Sequence, residues 1–128
     1  MAAEHVDAVR EVFELARRAR HVELRARLHE DITWHPAREG VWRPCTNAEQ
    51  VVRTLVWRAE ANRLRPGELL DLGSTVFVQL RGRRLDRLGG RGFVPKLFQL
   101  VVIRDGRIAS IQDYAHREDA LAAAGVRP

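Results

Sequence analysis

The sequence predicts an α+β fold, with helices gathered on one face of a curved antiparallel sheet. Three observations carry this. Helical periodicity dominates up to Asn62, strand alternation takes over after Pro66-Gly67, and Asp105-Gly106 separates two apolar runs where a two-residue hairpin turn belongs.

Each element follows in order. Residues 5–20 carry Val6, Val9, Phe13 and Ala16 at helical spacing, with Val12 and Leu15 widening the stripe. A shorter helical piece, Val22–His29, follows with Leu24 and Leu28. Asp31–Pro36 has strand character and stops at a residue that cannot donate to a ladder. After the loop Ala37–Cys45, Thr46 and Glu49 have the spacing of a capping box and open a third helix running to about Asn62. Its inward stripe is Val52, Leu55, Val56 and Ala59. Pro66-Gly67 reads as a turn, and the strands Glu68–Leu72, Thr75–Arg81, Phe93–Ile103 and Ile108–Tyr114 follow. A helix from Arg117 closes at Gly125, with Glu118 and Asp119 in its first turn where the helix dipole favours acids.

Composition narrows the function. A chain of 128 residues is read as one domain, 1–128, large enough to bury a core without staples. No apolar run approaches the roughly 20 residues of a membrane span, and the first residues lack the basic head and apolar block of an export signal. Cys45 is the sole cysteine and can form no bridge within the chain, so a cytoplasmic location is expected. The net charge of +5 rests on 22 basic residues of which only Lys96 is lysine. The arginines are scattered among acidic neighbours, and the denser run Arg81–Arg91 reads as a solvated hairpin tip. Neither nucleic acid nor membrane is therefore expected as a partner.

The order of elements, with Gly106-Arg-Ile-Ala-Ser-Ile-Gln-Asp-Tyr114 followed by a short helix, resembles the nuclear-transport-factor-2-like superfamily, its SnoaL-like branch above all. The pattern spans nearly the whole chain, and the wording is close over residues 98–125. The resemblance implies a bent sheet around a cone-shaped cavity roofed by helices, and pairing of two copies through the outer face of the sheet. It implies a small apolar organic ligand and no cofactor. It does not choose an activity, because the superfamily contains isomerases, cyclases, epoxide hydrolases and domains without catalysis.

Alternation along the strands then sorts the side chains. Ala109, Ile111 and Asp113 are expected to line the cavity, with Ser110, Gln112 and Tyr114 outside. In the neighbouring strand Phe98, Leu100 and Val102 are expected inside, with Gln99 and Val101 outside. Asp113 is the leading candidate for chemistry, since the proton-shuttling carboxylate of SnoaL-like cyclases and limonene-type epoxide hydrolases lies in a comparable segment. A dry cavity would raise its pKa toward useful acid–base behaviour. The alternative is a strand-end acid paired with Arg104 or Arg107. His35 is the second candidate, because the strand Ile32–Pro36 resembles the one bearing the base of ketosteroid isomerases; as a packed loop histidine it would have no such role. Trp34, Trp42 and Trp57 offer flat apolar surface, Trp34 and Trp57 being assigned to the substrate pocket with Phe98, Leu100, Ile111 and Gln79.

Departures from the enzymes matter as well. Epoxide hydrolases of this type place an Arg-x-Asp pair on a middle strand, where this chain reads Thr75-Val-Phe-Val-Gln-Leu80; Gln79 stands at best in the acid's place and cannot act as acid or base. The acid-plus-tyrosine set of the ketosteroid isomerases is missing too. His29, His35, Glu30 and Asp31 form no metal-binding spacing, and Gly89–Gly92 lacks the lysine of a phosphate loop. Two functions remain open. One is a cofactor-free isomerase, cyclase or hydratase acting on a polyketide-like or terpenoid-like molecule through Asp113. The other is a non-catalytic ligand-binding or dimerisation module.

Overall fold

The computed structural model describes residues 3–85, 88 and 96–126. Helices α1 (Ala3–Arg17), α2 (His21–Ala26) and α3 (Ala48–Ala61) pack on a five-stranded sheet. The strands are β1 (Leu28–His35), β2 (Arg65–Asp71), β3 (Thr75–Arg81), β4 (Leu97–Arg104) and β5 (Arg107–Tyr114), and α4 (Arg117–Ala123) closes the described chain. Their order across the sheet is β1-β5-β4-β3-β2. All neighbours are antiparallel except β1 and β5, which run parallel. The start of the expected strand at Phe93, with Pro95 and the glycines of 89–92, lies outside the described residues. No described helix is long and apolar enough to cross a membrane.

Local chemistry explains the boundaries. Asp105 and Gly106 both have positive φ, 54° and 75°, as the two-residue β4–β5 turn demands. The cap of α3 sits one residue later than the Thr46–Glu49 spacing predicts. Asn47 is the N-cap and its Oδ1 accepts from the Gln50 N–H at 2.9 Å, while Gln50 Oε1 accepts from the Thr46 N–H at 2.7 Å. Pro66-Gly67 is no turn either: β2 already begins at Arg65, and its register against β3 shifts between Pro66 and Leu69. A proline is tolerated there because β2 is an edge strand. Leu28 and His29, expected at the end of a helix, instead open β1.

The two sheet faces bury different clusters. Toward the helices lie Ile32 and Trp34, Val76, Val78 and Leu80, Leu97 and Val101, and Ile108 and Ile111, packed against Val9, Val12, Leu24, Val51 and Leu55. On the other face Phe77 and Phe98 stack at 5.8 Å and, with Leu100, meet Ala120 of α4. The chain's own last helix thus covers part of the outer face, where the resemblance implies a dimer partner.

Candidate functional site: a buried carboxyl beside an arginine clamped by tryptophans

Register decides which side chains meet. Directly opposed residues of an antiparallel pair share a face, and β4–β5 pairing sets Gln99 opposite Asp113, Val101 opposite Ile111, and Phe98 opposite Tyr114. Asp113 and Ile111 therefore face the helices, and so do Gln99 and Val101. Phe98 and Leu100, expected in the cavity, lie on the outer face with Phe77. Val102, opposite Ser110, goes with them. Ala109 is displaced as well, because the register shift between Val102 and Ile103 pairs Ile103 with Ile108 and turns Ile108 inward in its place. Gln79 pairs with Phe98 and belongs to the outer face, where it lines a hollow with Lys96, His116 and Glu118.

Asp113 is completely enclosed, at 0% exposure. One carboxyl oxygen, Oδ1, accepts from the Trp34 indole N–H at 2.8 Å and from the Gln99 amide at 2.9 Å. The other, Oδ2, has no hydrogen-bond partner among the described residues. Burial lifts the pKa of Asp113 from the ordinary 3.8 to about 6, against the opposing pull of the two hydrogen bonds and of the Arg58 charge. Neither Arg104 nor Arg107 supplies that charge; Arg104 pairs with Asp31 on the surface at 3.9 Å.

Arg58 is the residue sequence reasoning passed over. It lies on the buried face of α3, one turn beyond Leu55, and is 4% exposed. Its guanidinium sits 4.8 Å from the ring centre of Trp34 and 4.2 Å from that of Trp42. The two indoles meet edge to face at 5.3 Å and 77°. The loop bearing Trp42 is pinned by a backbone bridge in which Trp34 and Cys45 exchange both N–H···O bonds at 3.0 Å. Trp34 therefore binds the carboxylate at its edge and the cation over its face. Arg58 and Asp113 feel one another's charge without a direct ion pair, and burial draws the Arg58 pKa down while Asp113 works to raise it. Arg58 Nε and Nη1 and Trp42 Nε1 are buried and lack partners among the described residues.

The remaining sequence candidates fall elsewhere. His35 is exposed, next along β1 from the inward Trp34 and so on the opposite face from Asp113. It lines a hollow of about 500 Å3 with Pro36, Glu39, Pro44 and Gln112. Trp57 is 64% exposed on the outer side of α3 and does not reach the interior. Trp34 and Ile111 do share the interior with Asp113. No three His, Cys, Asp or Glu side chains among the described residues gather as a metal ion would need.

No protein-family model matches the chain, and no curated protein matches it. Solved structures do. An NTF2-like protein from Burkholderia xenovorans LB400 is 20% identical over 97% of each chain, with a TM-score of 0.64. A candidate polyketide cyclase from Sinorhizobium meliloti is 22% identical over 84% of this chain and 93% of its own, at 0.60. An LEH-like epoxide hydrolase from M. tuberculosis is 15% identical over 96% and 90%, at 0.61. The chain has the nuclear-transport-factor-2-like fold. The differing activities of these neighbours leave the function to be argued from the site.

Proposed function

We propose that this chain, a nuclear-transport-factor-2-like fold, is a cofactor-free proton-transfer enzyme of the SnoaL-like type, with Asp113 as acid and base. Its substrate is a small, mostly apolar carbonyl compound of polyketide-like or terpenoid-like character. One observation carries the reading: a fully enclosed carboxyl has one oxygen fixed by Trp34 and Gln99 and the other unpartnered. The fixed oxygen orients the group, and the second is free to work. A carboxyl with a pKa of about 6 is substantially populated in both forms near neutrality, as a group that takes a proton and returns it must be. As a base, Oδ2 removes a proton from the carbon next to the carbonyl, and the C–H electron pair moves into an enolate. As the conjugate acid, it returns the proton at a different carbon, completing an isomerisation. His35 has no part in this scheme, because it lies on the other face of the sheet.

One observation favours the competing reading of a non-catalytic binding or dimerisation module. Asp113 touches no bulk solvent and is absent from the linings of five surface hollows found among the described residues. A substrate reaches Oδ2 only after a covering side chain moves. Incubating the protein with a cyclic β,γ-unsaturated ketone in D2O, and following exchange and isomerisation by NMR, separates the two. Turnover by the wild type that Asp113→Asn abolishes, with folding intact, supports the enzyme; turnover unchanged in the variant removes Asp113 from the chemistry. A homodimer through the uncovered part of the outer sheet face belongs to the same proposal, and sedimentation equilibrium tests it.

A further inference from the structure

We propose that Arg58 and the indole N–H of Trp42 form an oxyanion-binding pair facing the Asp113 interior, so that the ligand of this site is a planar molecule presenting a single negatively charged or enolic oxygen. The inference rests on the reading that this interior opens to a ligand, but it assigns different residues and a different task.

The argument begins with an imbalance of hydrogen-bonding groups. Around Trp34 three nitrogens, Arg58 Nε and Nη1 and Trp42 Nε1, are buried donors with no acceptor among the described residues. Two acceptors, Asp113 Oδ2 and Asn62 Oδ1, are buried without a donor among the described residues. A buried polar group left unpaired is costly, and a charged one more so. The contacts with Trp34 and Trp42 attract the guanidinium's charge but supply no oxygen or nitrogen acceptor for its N–H groups. The surplus is therefore of donors, and an incoming oxygen anion matches it.

Position adds a second strand. Arginine at the buried stripe of an amphipathic helix displaces a residue that would pack, and several other described arginines engage surface carboxylates instead: Arg17 and Arg18 hold Glu14, Arg27 holds Glu11, and Arg117 holds Glu68. Arg58 alone among the described arginines is buried. The cation lies over the face of the Trp34 indole and the carboxyl at its N–H edge, so Arg58 and Asp113 stand as separate groups around one side chain. That is the division of labour enolate formation requires, one group stabilising the developing charge while another moves the proton.

The test uses 4-nitrophenolate, a planar oxyanion at about pH 8.5, and its uncharged analogue nitrobenzene. Calorimetry on the wild type is expected to show the phenolate bound more tightly than nitrobenzene. Arg58→Met, which keeps the apolar stem and removes the cation, is expected to weaken the phenolate by roughly tenfold or more while leaving nitrobenzene unchanged. Trp42→Phe keeps a ring over Arg58 and is expected to weaken the phenolate by a few-fold. Asp113→Asn is expected to bind the phenolate at least as well as the wild type, because it removes a like charge. Equal phenolate affinity in the wild type and Arg58→Met overturns the proposal, as does a wild type that prefers nitrobenzene or binds neither. If Arg58→Met does not fold, the Trp42→Phe and wild-type preferences decide alone. Phenolate binding that depends on Arg58, without any deuterium exchange, supports this pair while the proton-transfer reading fails. Exchange that depends on Asp113 but is untouched by Arg58→Met does the reverse.

Discussion

Replacing Asp113 by Asn should change how stability depends on pH, by an amount the burial of this carboxyl sets. In the unfolded chain Asp113 titrates near 3.8 and in the folded protein near 6. Below pH 3.8 both states hold the proton and the residue costs nothing. Between the two values the folded state keeps its proton while the unfolded chain releases it, so stability falls as pH rises and has been lost in full once pH passes about 6. At about 1.4 kcal/mol per pH unit the loss is about 3 kcal/mol. Asparagine offers Trp34 and Gln99 the same acceptor and does not titrate, and the remaining acids are common to both proteins. The variant should therefore gain on the wild type by about 3 kcal/mol between pH 3.5 and 7. Urea unfolding of both proteins across this range measures it. Stability curves that stay parallel would refute the reasoning, for Asp113 would then be ionised in the fold at ordinary cost.

Other outcomes follow from close packing. A β-carbon added at Gly82 would lie 2.6 Å from the backbone oxygen of Asn62, which already accepts from the Arg83 N–H. Gly82→Ala should cost roughly 1–3 kcal/mol, and an unchanged melting temperature would show that the α3–β3 junction yields freely. The Cys45 thiol is buried, and that burial raises its pKa. It should react with a disulfide reagent such as DTNB only as fast as the protein opens; immediate labelling of the native protein would contradict its packing.

The elements were largely legible because hydrophobic period and turn chemistry are local. The β4–β5 hairpin follows from Asp105-Gly106 and the facing of Asp113 from simple alternation. The site was less so, and the reason lies in particular residues. Strand β4 reads Leu-Phe-Gln-Leu-Val-Val-Ile and is apolar on both faces, since α4 covers one and the three early helices the other. No parity could then be read from hydrophobicity, and the inward glutamine was assigned outside. Counting back from Asp105-Gly106 alone sets Gln99 opposite Gln112; only the register shift between Val102 and Ile103 brings it opposite Asp113, and that shift is not written in the turn. In the sequence Arg58 is one of many arginines scattered through the helical segments, although it continues the stripe of Val51 and Leu55. The parallel pairing of β1 with β5 has no local signature.

That parallel pairing has a temporal consequence. Trp34 and Asp113 stand 79 residues apart in the chain, yet the strands that bear them lie edge to edge. During synthesis the first strand must wait for its parallel neighbour until residues 107–114 have emerged. Formation of the Trp34–Asp113 hydrogen bond should thus coincide with the slow, long-range last stage of folding, and a nascent chain cut short before Arg107 would carry an orphaned, sticky edge instead of a closed interior.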